Sequence, residues 1–461
     1  MALNKKALVI GLDCLTPQLV FGEYLKDLPT ISMLLKNSLW GKMKSTIPPI
    51  TCPAWASMVT GKDPGQLGIY GFRNRTDHSY DKLSIATSSY VKEKTIWDII
   101  AKDGKKSIVL AVPPGYPPKK INGAMIGCFL TPDITCDYTY PKALKTEIAK
   151  NFGEYLIDVR GFRTDDKGKL LKEIYDLSEN RFKLATYFIK NKEWDFFMFV
   201  DMGPDRIHHG FWKYCDSTHN KFEKNNKYKN ALRDYYIFLD AKIKEIIENL
   251  DENTTLYIVS DHGAKKIDGC FCINEWLIKK GYLTLKEYPK NVTKLSPGMI
   301  NWDKTRAWGE GGYYGRIFFN VKGREPKGVI GKKEYEKFTR KLIGELEAIK
   351  YKNTNAKKTI VYRPKDIYLK INGIAPDLLV FFGDLYWRSI GSVGFNDVYT
   401  FNNDTGPDDA NHDYHGIFIM YDKKIKKPRH LAGISIYDFA PTLLFNMGMK
   451  ESKDMKGRIL C

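Results

Sequence analysis

The stretch Ser45-Thr46-Ile47-Pro48-Pro49-Ile50-Thr51-Cys52-Pro53-Ala54-Trp55-Ala56-Ser57-Met58-Val59-Thr60-Gly61 decides how this chain is read. Pro48-Pro49 restricts the backbone leading into it to extended conformations. From Pro53 to Thr60 the sequence suits a short helix, with proline tolerated in the first turn and Gly61 as the stop. Thr51 then stands just before a helix N-terminus. Free N–H groups and the helix dipole favour an anion such as phosphate there. Taken alone, the stretch favours Thr51 as an ordinary helix cap. The rest of the chain separates the two.

Working outward, apolar runs end in acids. Lys5 to Leu12 is predicted as a buried strand of a parallel sheet, ending in Asp13. The carboxyl ends of such strands are where open α/β sheets bind ligands. A helix is predicted over 94–103, and strands from Lys106 to Val112 and from Ala124 to Phe129. Helical periodicity covers 166–191. Phe196 to Val200 is an apolar strand, followed by Asp205-Arg206-Ile207-His208-His209. After a helix over 228–250, the strand Thr254 to Val259 delivers Ser260-Asp261-His262-Gly263. This alternation predicts an α/β fold, a mostly parallel sheet between helices.

The character changes near residue 282. Arg306 to Lys322 reads as paired strands around the glycines at 309, 311, 312 and 315, and 332–350 as one helix. Lys352 to Lys358 is a polar connection. Residues 283–365 are therefore expected to form an inserted α+β cap or substrate unit, with 1–282 and 366–461 as the core. Trp308, Tyr313 and Tyr314 either line a cleft, where they would stack on a base or sugar, or pack the strand pair's own small core. The run Pro376 to Phe382 is expected to return a strand to the main sheet, and Ile436 to Leu444 to open a helix near Asp438.

Composition narrows the classes. The chain has 461 residues, 43% hydrophobic and 13% aromatic, with a net charge of +19. No apolar run reaches the ~18–20 residues that cross a bilayer. Ala7 to Leu12 is too short for a signal peptide and lacks a clean cleavage site. A soluble, cytoplasmic protein is the expectation. The eight cysteines form no CxxC pair, which excludes zinc-ribbon and thioredoxin-like readings and leaves free thiols. The positive charge points to anionic partners, or to an ordinary solvated surface. No RNA-recognition, KH or helix-turn-helix signature accompanies it.

The candidate chemistry lies at predicted strand ends. These residues are Asp13, Asp205 with His209, Asp261 with His262, and His412 before the apolar run Gly416-Ile417-Phe418-Ile419. Asp205 and His209 are spaced i,i+4, so one helical turn puts both on one face. Three carboxylates and three imidazoles suit two divalent ions, zinc first and manganese second. Each piece alone is more often a loop or a surface contact. The order is more specific: strand-Asp, Pro-Pro-x-Thr-x-Pro, Asp-x-x-x-His, Ser-Asp-His-Gly, then His before a strand.

That order resembles the alkaline phosphatase superfamily, and within it the type I phosphodiesterase/nucleotide pyrophosphatase branch, over nearly the whole chain outside 283–365. The resemblance implies that Thr51 is a nucleophile that becomes phosphorylated. It implies that Asp13, Thr51, Asp261 and His262 hold one metal, and Asp205, His209 and His412 the other. His208 and His415 are adjacent competitors, and the branch's spacings favour His209 and His412. The branch carries an asparagine that holds a phosphoryl oxygen, and the aligned residue here is Phe72. Asn74, Arg73 or Arg75 are the candidates to replace it. Sulfatases use a modified cysteine followed by an arginine-bearing motif. Cys52-Pro53-Ala54-Trp55 lacks that arginine, so Cys52 reads as structural.

The function implied is a two-metal phosphohydrolase that cleaves phosphodiester or pyrophosphate bonds of a small phosphorylated substrate, possibly a nucleotide. A phosphate monoesterase or phosphomutase on the same site is one alternative. A non-enzymatic polyanion-binding protein, motivated by the charge, is another.

Overall fold

Apolar runs that can be buried on both faces build the centre of the molecule. The computed structural model describes residues 6–351, 358–450 and 454–460. In it, Lys6–Leu12 pairs in parallel with Phe196–Asp201 on one side and Thr254–Val259 on the other. Ser107–Leu110 and Gly123–Ile126 extend the parallel sheet beyond Phe196–Asp201. Every residue of Phe196–Asp201 and Thr254–Val259 is buried, as a sheet covered on both faces requires. The helices Lys167–Asn191, Gly203–Cys215 and Ala231–Ile247 pack against one another, and Thr51–Thr60 packs with Phe439–Asn446. The fold is the expected mostly parallel sheet flanked by helices.

The sheet's polarity places the chemistry. Asp13 follows the last residue of Lys6–Leu12, Asp205 follows Phe196–Asp201 by one helical turn, and Asp261-His262 follow Thr254–Val259. All three sites therefore open at one edge of the sheet. His415–Tyr421 runs antiparallel between Thr254–Val259 and Ser38–Lys44. Its beginning thus lies at that same edge, and His412 precedes it.

A second, antiparallel sheet stands apart, in the order Ala307–Glu310, Gly315–Phe319, Leu378–Phe381, Ile360–Tyr362. The helix Lys332–Glu347 packs Phe338, Leu342 and Leu346 into its core with Ile317 and Phe319. Leu378–Phe381 therefore does not return to the main sheet as expected. It is buried along its whole length because it is the inner strand between Gly315–Phe319 and Ile360–Tyr362. Its apolar pattern announces a doubly covered strand but not which sheet covers it. A three-stranded sheet of Gly269–Cys272, Trp387–Ile390 and Tyr399–Thr400 adjoins it. The smaller unit thus draws on chain either side of 283–365. The polar connection from Lys352 lies, apart from Lys358, outside the described residues. Among the described residues no helix is long and apolar enough to cross a membrane.

Candidate active site

Thr51 is the first residue of the helix Thr51–Thr60, and Ile50 occupies the cap position with no side-chain cap bond. Thr51 is therefore not the N-cap. Its Oγ1 is 3.4 Å from His262 Nε2, and the residue is buried. Gly61 ends the helix at φ 69°, the left-handed stop its sequence suggested. Within the helix, Trp55 is fully buried and donates from Nε1 to Asp13 Oδ2 at 2.6 Å. This contact needs Gly11, because a Cβ there would lie 2.7 Å from the indole.

Around Thr51 the structure gathers Asp13, Asp205, His209, Asp261, His262 and His412, all buried. His262 Nε2 lies 3.2 Å from Asp261 Oδ2 and 3.7 Å from Asp13 Oδ1. Asp205 Oδ1 lies 3.2 Å from His209 Nε2 and 3.6 Å from His412 Nε2. Two sets of ligand atoms fall within 4.8 Å of one another: Asp13, Asp261 and His262, and Asp205, His262 and His412. His262 thus faces both. His209 joins the second set through Asp205.

The other atom of each group is held by the protein. His209 Nδ1 meets Asp408 Oδ1 at 2.7 Å, His412 Nδ1 meets the Pro49 carbonyl at 2.9 Å, and His262 Nδ1 meets the Gly263 carbonyl at 3.2 Å. The Cys14 N–H donates to Asp261 Oδ1 at 3.2 Å, and Arg206 donates to Asp205 Oδ2. Asp13 Oδ1, Asp205 Oδ1, Asp261 Oδ2, His209 Nε2 and His412 Nε2 are buried and face one another without a geometrically formed hydrogen bond. Buried polar atoms are normally satisfied, so these converging orphans fit absent cations.

The electrostatics agree for Asp13, Asp261, His262 and His412, and differ at His209. Burial, reinforced by neighbouring carboxylates, holds Asp13 and Asp261 well above the usual carboxylate range. Burial pushes His262 down to about 4 and His412 well below its ordinary value, which leaves neutral imidazoles able to donate lone pairs. Burial also opposes charge on His209, but Tyr313, Asp408 and Asp205 carry it well above the ordinary value. His208 faces away: it is buried against the Tyr236 hydroxyl at 2.9 Å, and burial lowers it to about 3. His415 is half-buried and lowered by burial, and it lies in neither ligand set.

A cleft of about 940 Å³ opens beside Thr51, Asp205 and His412, walled in part by Phe72, Arg73, Phe129 and residues of the smaller unit. Phe72 meets Phe129 edge-on at 5.9 Å. Arg73 is exposed on this wall. Asn74 is not on it: its Oδ1 accepts from the Tyr70 N–H at 2.8 Å and its Nδ2 donates to the Gly71 carbonyl at 3.0 Å. The amide is spent on its own loop. Arg75 is likewise committed, to buried Glu325.

The aromatic residues of the smaller unit border the cleft but are mostly packed. Trp308 stacks on Phe318 at 5.5 Å, and the Tyr314 hydroxyl donates to the Tyr70 carbonyl. Tyr313 instead stacks on His412 at 4.0 Å and His209 at 4.9 Å. Cys52 is fully buried and burial raises its thiol well above the ordinary value, so it is inert. Sequence reasoning missed Asp408, which orients His209, and Arg206, whose guanidinium joins Asp205 to Asp158.

A family model for type I phosphodiesterase / nucleotide pyrophosphatase matches residues 7–408, ending four residues before His412. No curated protein matches the sequence. Among solved structures, the chain is similar to human ectonucleotide pyrophosphatase / phosphodiesterase 5. The TM-score is 0.57 at 13% identity, over 98% of this chain and 97% of that one. It is similar to an inactive variant of the murine protein of that name in complex with AMP, at TM-score 0.57 and 13% identity over 97% and 96% of the chains. The murine protein itself gives 0.55 and 14% over 96% and 95%. At these identities the likeness is one of fold.

Proposed function

The chain belongs to the type I phosphodiesterase / nucleotide pyrophosphatase family, and on that premise we propose that it hydrolyses phosphodiester or pyrophosphate bonds through a phosphothreonine at Thr51. Family membership makes it a hydrolase, which removes the polyanion-binding alternative. The observation that carries the mechanism is the uncapped Thr51 hydroxyl at a helix N-terminus, 3.4 Å from His262 and surrounded by orphaned ligand atoms.

Asp13, Thr51, Asp261 and His262 would hold one divalent cation, and Asp205, His209 and His412 the other. Zinc suits this oxygen and imidazole donor set, with manganese as the alternative. When bound, the pair supplies Lewis acidity to the hydroxyl and to the phosphoryl oxygens.

The chain's own groups do the rest. Thr51 Oγ1 attacks phosphorus in line, its proton passing to water, and the bond to the leaving oxygen breaks as the Oγ1–phosphorus bond forms. Water then cleaves the phosphothreonine. The N–H groups of Thr51 and Cys52, in the first turn of the helix, face developing charge on the phosphoryl oxygens. Trp55 and the Cys14 N–H orient Asp13 and Asp261, and Asp408 fixes the His209 tautomer. Phe72 with Phe129 offers an apolar platform where the branch has an amide, suited to a base or another flat group. AMP in the inactive murine relative supports a nucleotide-like substrate for this chain.

The test is a hydrolysis screen of monoesters, diesters and nucleotides with zinc or manganese supplied, repeated with Thr51→Ala and Thr51→Ser. Thr51→Ala is expected to lose several powers of ten in turnover with little change in thermal stability, because no cap bond is removed. Thr51→Ser keeps the hydroxyl and much of the activity. A stable Thr51→Ala enzyme turning over near the wild-type rate removes the nucleophile.

A further inference from the structure

Five arginines wall the cleft: Arg73, Arg163, Arg206, Arg316 and Arg388. Three are readily accounted for. Arg206 spends Nε and Nη2 on Asp158 at 3.0 and 2.6 Å and Nη1 on Asp205. Arg316 is held by Glu310 and by the Arg73 carbonyl, and Arg73 is exposed. Arg163 and Arg388 are different. Both donate to a single oxygen, Asp408 Oδ2, at 3.0 and 2.6 Å. The other oxygen of Asp408 is already taken by His209. One buried and one half-buried guanidinium group thus share half of one carboxylate.

Their remaining donors are not used up. Arg163 gives one further bond, from Nη2 to the Tyr313 hydroxyl at 2.9 Å. Among the described residues nothing accepts from Arg163 Nη1 or from Arg388 Nη2, and Arg388 Nε is buried without an acceptor. The Arg388 side chain is only 6% exposed and that of Arg163 is 23% exposed. Arg388 Nε is kept from water without an acceptor, which is costly, and the free donors of both groups are open to the cleft, so the arrangement suits another anion. The pair is also fixed in place. Arg388 lies 4.5 Å from the Tyr313 ring centroid, and that ring stacks on His412 at 4.0 Å. The two guanidinium groups therefore stand one aromatic ring away from a metal-facing imidazole. Of the cleft's other acids, Glu310 is paired with Arg316, Asp404 accepts from the Ser392 hydroxyl at 2.7 Å, and Asp81 is exposed.

We propose that Arg163 and Arg388 form an anion subsite in the cleft, which takes a phosphate or carboxylate that the substrate carries beyond its scissile phosphoryl group. Paired guanidinium forks match either anion through parallel N–H bonds. The inference rests on the phosphohydrolase reading above and narrows its substrate class. It favours a pyrophosphate linkage, or a phosphate ester bearing a carboxylate, over a diester whose only charge is on the reacting phosphorus. The competing account is structural, with the pair serving only to hold Asp408 against His209.

The experiment compares matched substrates on the metal-loaded enzyme. Adenylyl-adenosine has one phosphate and diadenosine diphosphate has two. Methyl 4-nitrophenyl phosphate and the 4-nitrophenyl ester of phosphoglycolate differ by a carboxylate. Arg388→Met, and the more exposed Arg163→Met in case the first does not fold, are expected to cut kcat/KM for the doubly anionic member of a pair at least tenfold more than for its partner, chiefly through KM. A differential loss on the diphosphate identifies phosphate as the bound anion, and one on the phosphoglycolate ester identifies carboxylate. Equal losses on both members, or none on either, overturn the subsite. Equilibrium binding of the two dinucleotides to metal-loaded Thr51→Ala protein makes the same comparison without turnover. A preference for the diphosphate that vanishes with Arg388→Met, in a protein whose wild type hydrolyses nothing, refutes the phosphohydrolase reading and keeps the subsite. No arginine-dependent preference for either anion in binding overturns the subsite whatever the turnover.

Discussion

In the smaller unit, Glu325 accepts from Arg75 at 3.2 Å, from Arg324 at 2.9 and 3.1 Å, and from the Val321 N–H at 3.0 Å. Asp377 accepts from Arg324 at 2.8 Å on both oxygens, from the Tyr335 hydroxyl at 2.6 Å and from the Phe319 N–H at 2.7 Å. Neither carboxylate has an oxygen left over. Around Thr51 the chain buries charge and leaves it open: one oxygen each of Asp13, Asp205 and Asp261, and one nitrogen each of His209 and His412, form no hydrogen bond. Burying charge is tolerable only when it is paired and hydrogen-bonded. The first cluster meets that condition within the chain and ties the strand Arg73–Arg75 to the smaller unit. The second meets it only with something added. Completeness of pairing, rather than burial or the number of charges, separates a structural cluster from a binding one.

That contrast can be broken most directly at the open cluster. His412→Ala is expected to reduce bound metal from two ions per chain to one. It should lower kcat/KM by more than the ~10–100-fold typical of losing an outer partner of a metal ligand. Elemental analysis and turnover on the best substrate check it. An enzyme that keeps two metals and its activity would make the orphaned atoms incidental. The matching change in the closed cluster is Arg324→Met. It removes Arg324 from Asp377, which keeps Tyr335 and Phe319, and from Glu325, which keeps Arg75, so about 1–3 kcal/mol of stability should be lost. Metal content should stay at two. Loss of metal from Arg324→Met at a temperature where it is folded would erase the distinction.

Asp408 lies between the two types, since it is fully paired yet touches His209, an imidazole of the open cluster. Asp408→Asn keeps an acceptor for His209 but removes the charge that the arginines and the imidazole share. Metal affinity is expected to fall ~10–100-fold, with a smaller change in stability than Arg324→Met. A metal titration that superimposes on wild type would show that Asp408 serves the arginines alone.

The open cluster was legible in the sequence because its members sit at strand ends. A buried apolar run followed by an acid or Asp-His is a local pattern, and the parallel sheet brings such ends together. The i,i+4 pair Asp205 and His209 needed only helical geometry. What was not legible depends on contacts between distant segments. Asp408 reaches His209 across 199 residues, and Arg163 reaches Tyr313 across 150. Neither pair has a spacing to recognise. Asn74 looked available because its loop bonds to Tyr70 and Gly71 are invisible in composition. Leu378–Phe381 showed its burial but not its sheet. The net charge of +19 suggested anionic partners, yet it could not say that five arginines wall one cleft.

The smallest expected effect concerns a buried histidine outside both clusters. His219 donates from Nε2 to the Asp409 carbonyl at 3.0 Å and accepts at Nδ1 from the Lys221 N–H at 3.0 Å. Both nitrogens are therefore used, and the neutral tautomer is specified. A proton on Nδ1 would face an N–H. Burial pushes the group down to about 4 from an ordinary value near 6.5. Between those values the unfolded chain binds a proton that the folded chain refuses. Stability from this residue is therefore complete above about pH 6.5 and falls as the pH drops toward 4, with a limiting slope of about 1.4 kcal/mol per pH unit. His219→Gln is expected to be somewhat less stable at pH 7.5, through disturbed hydrogen bonds, and to lose less on acidification. Urea midpoints of metal-free protein between pH 4.5 and 7.5 measure this without the protons that metal binding releases. His208 is also buried neutral and contributes a similar acid sensitivity to both proteins, so it cancels in the comparison. Parallel midpoint curves for the two proteins would mean that His219 takes up its proton in the folded state at the ordinary pH, and that its two hydrogen bonds do not fix its charge.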